Sequence, residues 1–344
     1  MQGEVETKRA ARRNAILIML LISMVLMFLL SIALGSVNIK LADVISILLG
    51  KDSASDAHQS IISKIRLPRA IASMAGGVCL ALSGLLLQIF FSNPIVEPYV
   101  LGISSGATMF VSIVFLGGYT FGFSATNPMF MFIGALVGSM IVMLAVVLAA
   151  RKVQNIVTLL VIGMMTGYLC SSIRSIMSSF ASLESLGSLT LWTMGSFAGF
   201  TWQKVKILAI ITSIFAVLAF LLSKPLNAML LGEGYAQSMG VGIRRFRIAV
   251  IIIASVLTAV LTAFAGPISF VGLATPHMLR MGLKTADNRV LVPACVLGGA
   301  LTTNLCDLLA RTLLAPVELP IGAITSLFGA PLVIYMLLRR DSGL

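Results

Sequence analysis

Nine stretches of this chain are apolar for long enough to cross a bilayer, and no other feature limits its fold so tightly. They cover roughly 16–35, 70–91, 99–118, 129–150, 156–180, 205–223, 248–265, 290–315 and 321–338. A helix through the hydrocarbon core needs about 20 residues. Without water, its backbone N–H and C=O groups must pair within the segment, which leaves helices as the solution for runs of this length. Composition agrees. Hydrophobic residues make up 58% and charged residues 10%, whereas a soluble domain carries about 25% charged residues. The chain reads as an all-α integral membrane protein in one domain, residues 1–344.

The first run follows Lys8, Arg9, Arg12 and Arg13. It is longer than the roughly 7–15 apolar residues of a signal peptide. An uncleaved helix is expected, with residues 1–14 as a cytoplasmic tail. A tenth, shorter candidate is 269–283, "SFVGLATPHMLRMGL", interrupted by Pro276. Hydropathy leaves its crossing open, and charge decides. With ten spans, 15 of the 24 Lys and Arg lie inside. With nine, Arg280, Lys284, Arg289, Arg339 and Arg340 move out and Arg311 moves in, leaving 11 inside. Cytoplasmic loops gather Lys and Arg, so about ten transmembrane helices are expected, with both termini cytoplasmic. The same rule accounts for the formal charge of +12; no aromatic-basic patch points to nucleic acid.

Catalytic and metal chemistry find little support. The four cysteines, Cys79, Cys170, Cys295 and Cys306, lie in apolar runs without a CxxC pair, and His58 and His277 belong to no ligand cluster. The cysteines read as small buried residues, and no metal or cofactor is implied. No GxxxxGK[ST] phosphate loop occurs, so no ATPase of that type is expected here.

Small residues recur four apart at Gly102/Gly106, Gly134/Gly138, Gly163/Gly167 and Gly195/Gly199. Such spacing lets helix backbones approach closely. The outer loop before 205 carries Trp192, Phe197, Phe200 and Trp202, which suits an interfacial, partly re-entrant element. The inner loop 224–247 is longer than most helix connections. Leu230, Ala236 and Met239 could line one side of a short helix ended by Gly240. Such a helix lies either in a protein groove or on headgroups. Asp307 and Arg311 are four apart, suited to an ion pair. Glu97 is expected near an inner end. Pro94 and Pro98 fix a tight inner turn that carries Asn93 and Ile95.

Three blocks resemble the FecCD-type permeases, membrane subunits of bacterial ABC importers for iron-siderophores, haem and cobalamin. They are "RLPRAIASMAGGVCLALSGLLLQIFFSNPIVEPYVLGISSGA" (66–107), "GPISFVGLATPHMLRMGL" (266–283) and "LTTNLCDLLARTLLAPVELPIGAITSLFGAPLVIYMLLRR" (301–340). The resemblance implies a type II ABC importer permease fold. It also implies a homodimer around a central pathway in the bacterial cytoplasmic membrane, two ATP-binding subunits inside and a substrate-binding protein outside. It places the ATPase-coupling helix at 231–240, with Gly232, Glu233, Ala236 and Gly240 at matching positions. Arg66, Arg69 and Arg311 match the outer basic residues that dock the binding protein. The inner gate falls at Asn93–Ile95 and roughly at Asn155–Thr158. The second of these turns is more apolar than in the cobalamin permease. The expected function is import of an iron(III)-siderophore complex, with haem or cobalamin as alternatives. The rival from another class is an ion-coupled secondary transporter, for which mid-membrane acids are lacking.

Overall fold

The computed structural model describes residues 2–340 apart from 36, 38, 50–55, 122–127 and 154, and the described residues form helices and short turns. Helix α1 (Gln2–Ala33) leads to two short outer helices, α2 (Leu41–Leu48) and α3 (Asp56–Ile61). Then come α4 (Leu67–Phe90), α5 (Ile103–Phe121), α6 (Pro128–Lys152) and α7 (Ile156–Ser178). A short α8 (Leu183–Thr193) precedes α9 (Trp202–Leu221). Two more short helices, α10 (Ser223–Met229) and α11 (Glu233–Ser238), fill the long inner loop. The chain closes with α12 (Ile243–Ala265), α13 (Val271–Leu283), α14 (Asn288–Thr312) and α15 (Ile321–Arg340). Among the described residues, seven helices are long and apolar enough to span a membrane, and 103–115 and 321–335 are shorter apolar helices. With α13 the membrane-crossing helices number about ten among the described residues.

That α13 crosses follows from its neighbours. Helix α14 packs along α1. At one end Arg13 lies close enough to Asp287 to help lower its carboxyl pKa. At the other, Arg311 donates to Ser31. The two helices therefore run parallel, and the loop 284–287 shares a side with the start of α1. Helix α13 has 13 residues, about 20 Å at 1.5 Å per residue, short of the roughly 30 Å core. The segment 266–270 therefore lies within the protein body. Irregular backbone is tolerated at such depth only where protein shields it.

Helix α4 is the central element. It packs against α14, α12, α13 and α9, and 83% of its most apolar window is buried, against 11% for α1 and 22% for α7. Close approach of α4 and α14 needs glycine: a Cβ on Gly77 would stand 2.0 Å from the carbonyl oxygen of Gly299. The pair Gly106 and Gly138 plays the same part between α5 and α6, where a Cβ on Gly138 would stand 2.2 Å from the Gly106 oxygen. Gly195 and Gly199 differ from the helix-packing reading of their spacing. They are turn residues at φ 72° and 71°. The turn they shape carries Phe197 and Phe200 into the body, both buried, while Trp202 stays 40% exposed and donates to the Ser63 carbonyl. This is the re-entrant element expected from the aromatic residues.

Candidate functional site

The outer end of α4 begins with a π-helical turn, Ile62–Arg66, directly before Pro68. Proline has no N–H to donate, and the Leu67 N–H reaches back to Ile62. The wider turn carries Arg66 inward. Its side chain donates to the carbonyls of Ile32 (2.8 Å), Ala33 (2.7 Å) and Val37. Ile32 and Ala33 close α1, where carbonyls lack intrahelical partners, and Ala33 also accepts from the Ile39 N–H at 3.2 Å. Arg69, one turn on, forks onto Asp307 of α14 with contacts of 3.0–3.1 Å and onto Glu318 at 2.9 Å. Arg311 donates to the hydroxyl and carbonyl of Ser31 and approaches Asp307 at 3.8 Å. The expected pair on one helix exists, but the shorter contacts to Asp307 come from another helix.

The resemblance implies these three arginines on a free docking rim. The structure shows them buried, 5%, 8% and 8% exposed, with their donors turned onto the chain's own groups. Lys64, two residues before Arg66, is an exposed cation at this end, as are Lys40 and Lys206.

At the other face, α10 and α11 occupy the inner loop. Gly232 (φ 102°) and Gly240 (φ 86°) bracket α11, conformations that favour glycine. Ala236 is fully buried and seats α11 on the body, so it does not share an exposed face with Met239. The exposed apolar set is Leu231, Tyr235 and Met239, spaced four apart, with Leu230 beside them. Next to it is a groove of about 910 Å³ whose lining includes Glu233, Gln237, Arg244 and Arg245. Glu233 pairs with Arg247 of α12 at 2.7 Å.

Two inner turns are built alike. Asn93 accepts from the N–H of Ile95 at 3.0 Å. Asn155 caps α7, accepting from Val157 at 2.8 Å and Thr158 at 3.3 Å. Each side-chain carbonyl fixes its own turn, and each turn presents an exposed aliphatic residue, Ile95 (44%) or Val157 (65%). Glu97 follows Ile95 by two residues. Its carboxylate accepts from the N–H of Phe270 at the start of α13, at 3.0 Å.

A cavity of about 650 Å³ opens between α5, α7, α8 and the start of α15. Glu97, Ser105, Thr108, Ser171, Arg174 and Thr193 supply polar groups to its wall. Arg174 lies two turns beyond Gly167, which packs on Gly102. Among the described residues Arg174 has neither an ion pair nor a hydrogen-bond partner. A lone cation in an apolar run was the available signal for it, since charges there are costly and usually functional. The described residues contain no cluster of three or more His, Cys, Asp or Glu suited to a metal.

The FecCD transport family model matches residues 21–339. The chain belongs to the FecCD transport family. Its relatives include the hemin transport system permease protein HmuU of Yersinia pestis, 32% identical over 93% of this chain and 96% of the relative. The vitamin B12 import system permease protein BtuC of Salmonella typhi is 35% identical over 88% of this chain and 93% of its own length. A solved inward-facing structure of a metal-chelate-type ABC transporter superposes with a TM-score of 0.82 at 30% identity, covering 95% of this chain and 99% of that one. This FecCD chain is the permease subunit of an ABC importer, a transport subunit rather than an ATPase. Membership implies ATPase and binding-protein partners and a dimeric arrangement.

Proposed function

We propose that this FecCD permease carries an iron(III)-siderophore complex across the bacterial cytoplasmic membrane, as a homodimer with both termini inside. The observation that carries this reading is the unpaired Arg174 in the polar wall of the outer cavity. A guanidinium without an internal partner favours a cargo with anionic oxygens. Anionic ferric chelates offer these, and so do the carboxylates of haem. Haem is the second reading, favoured by the likeness to the hemin permease. A corrinoid with little net charge gains least from the cation.

The two ATPase subunits engage α11 through Leu231, Tyr235 and Met239. Gly232 and Gly240 shape this coupling helix, Ala236 anchors it and Glu233 ties it to α12. The Asn93–Ile95 and Asn155–Thr158 turns narrow the inner mouth. The binding protein docks at the outer rim through Lys64, while Arg66, Arg69 and Arg311 hold that rim in shape. Complementary charges there serve encounter rate and register more than affinity.

Reconstituted uptake tests this reading. The full importer in liposomes should accumulate a ferric siderophore with ATP and not without it. Preference for cobalamin, or uptake that persists without ATP on an ion gradient, would overturn it.

A further inference from the structure

One side chain joins the coupling helix to the turn before α7. Arg247 lies one turn into α12, and its side chain is 9% exposed, whereas the adjacent Arg244 and Arg245 are exposed. Its Nη2 donates to both carboxylate oxygens of Glu233, at 2.7 and 3.0 Å. Its Nη1 donates to the main-chain carbonyl of Val153 at 3.3 Å. Glu233 opens α11. Val153 follows the last residue of α6 and stands two places before Asn155, the cap of α7. A single planar guanidinium therefore touches α11, α12 and the α6–α7 turn.

The chemistry of that group matters. Its donors are held in a rigid fork, so Glu233 and Val153 sit at fixed positions relative to each other. A buried guanidinium cannot drop a partner cheaply. Glu233, by contrast, is 39% exposed on a small surface helix, the part of the link free to be pushed. Displacing α11 then pulls the Arg247 fork, and the fork pulls the carbonyl beside the cap of α7.

We propose that Arg247 is the positioning residue that transmits movement of the coupling helix to the inner gate turn. This rests on the reading of α11 as the ATPase contact. Nothing in the likeness to other permeases assigns Arg247 this part.

The test compares cargo moved per ATP hydrolysed in the reconstituted importer, using whichever ferric siderophore or haem the unaltered protein carries. R247A should lower that ratio about tenfold, the scale of one lost charge-assisted hydrogen bond. R247K keeps a buried cation and serves where R247A folds poorly. Lacking the fork, it should fall between R247A and the unaltered protein. The exchange R247E/E233R is the sharper arm. It restores the ion pair but leaves Val153 without its donor, so the complex should assemble with the ATPase while the ratio stays low. A merely structural ion pair would be rescued. Recovery to within about twofold in the exchange, or an unchanged ratio in R247A, would overturn the proposal. Failure of α11 itself as the contact reads differently: Y235A and M239A would then leave ATPase binding intact, and the proposal would fall with that reading.

Discussion

At the outer face, Arg66, Arg69 and Arg311 share two carboxylates and the main-chain carbonyls of Ser31, Ile32, Ala33 and Val37. At the inner face, Arg247 holds one carboxylate and one carbonyl. Both are arginine sites with little solvent access, but their connectivity differs. The outer cluster binds the ends of α1, α4 and α14 to each other through partners that are mostly buried, and Asp307 is 1% exposed. Moving any one of these helices breaks several charge-assisted contacts together. The inner link reaches a half-exposed carboxylate on a helix of six residues. A cross-braced end suits a fixed frame, and a single-armed link suits a part that must shift. An importer needs both, because a displacement at one face changes a pathway only if something elsewhere holds still.

The comparison breaks most easily at Asp307. D307N leaves Arg69 and Arg311 buried with too little negative charge. Removing one partner of a buried pair costs about 3–5 kcal/mol, so a large fall in the thermal midpoint of the purified permease is expected. A midpoint shift as small as that of a surface variant would show that the outer cluster is not a frame. R66A comes next. It takes the side-chain donor from the Ile32 carbonyl, while the Ala33 carbonyl keeps the Ile39 N–H, at about 1–3 kcal/mol for a buried unsatisfied group. Hydrogen exchange should quicken at 30–37 while α4 and α12 stay protected. Uniform exchange throughout would contradict a local brace.

Smaller effects sharpen the contrast. Glu318 and Glu233 are both substantially exposed, 49% and 39% at the side chain. E318Q leaves Arg69 its Asp307 partner and should change stability by about 0–1 kcal/mol, as half-solvated ion pairs do. E233Q takes the carboxylate from buried Arg247 and should cost more than E318Q. Only E233Q should lower cargo moved per ATP. Equal transport losses in the two would erase the distinction between frame and link.

The smallest expected effect is at Asp287, by the inner end of α1. Burial pushes its carboxyl up. The Asn227 amide, the Arg289 N–H and the charges of Arg289 and Arg13 outweigh this, and its pKa ends below the ordinary aspartate value. A depressed folded pKa stabilises above the unfolded value, and that stabilisation fades as pH falls through the folded one. D287N should therefore lower stability slightly at neutral pH and flatten the acid limb of a stability–pH curve. An unaltered acid limb would count against this contact.

Much of this was legible in the sequence because it is local. Apolar length gave the spans. The basic bias favoured a crossing by 269–283, which α1 and α14 bear out by running side by side. Gly106 and Gly138 could be picked out by their spacing, and Asn93 by the proline-fixed turn it begins, whereas Asn155 came only with the family resemblance. The segment 224–247 was visible as a loop too long to be a plain connection. Its exposed face was not, since spacing alone grouped Leu230 and Met239 with Ala236, which the structure turns inward.

What the sequence determined by itself is the class of solution: a bundle of about ten helices in a membrane, with a family's permease blocks along most of its length. Only the tertiary structure decided what the charges do. Arg69 meets Asp307 across 238 positions, Arg311 meets Ser31 across 280, and Arg247 meets Val153 across 94. Pairings at such separations are set by which helices pack together, and no local pattern of side chains encodes that. For the same reason, "IRLPRA" announces two arginines at the outer end of a span but not that both turn inward. That choice belongs to a carboxylate and a set of open helix ends which the folded chain brings beside them.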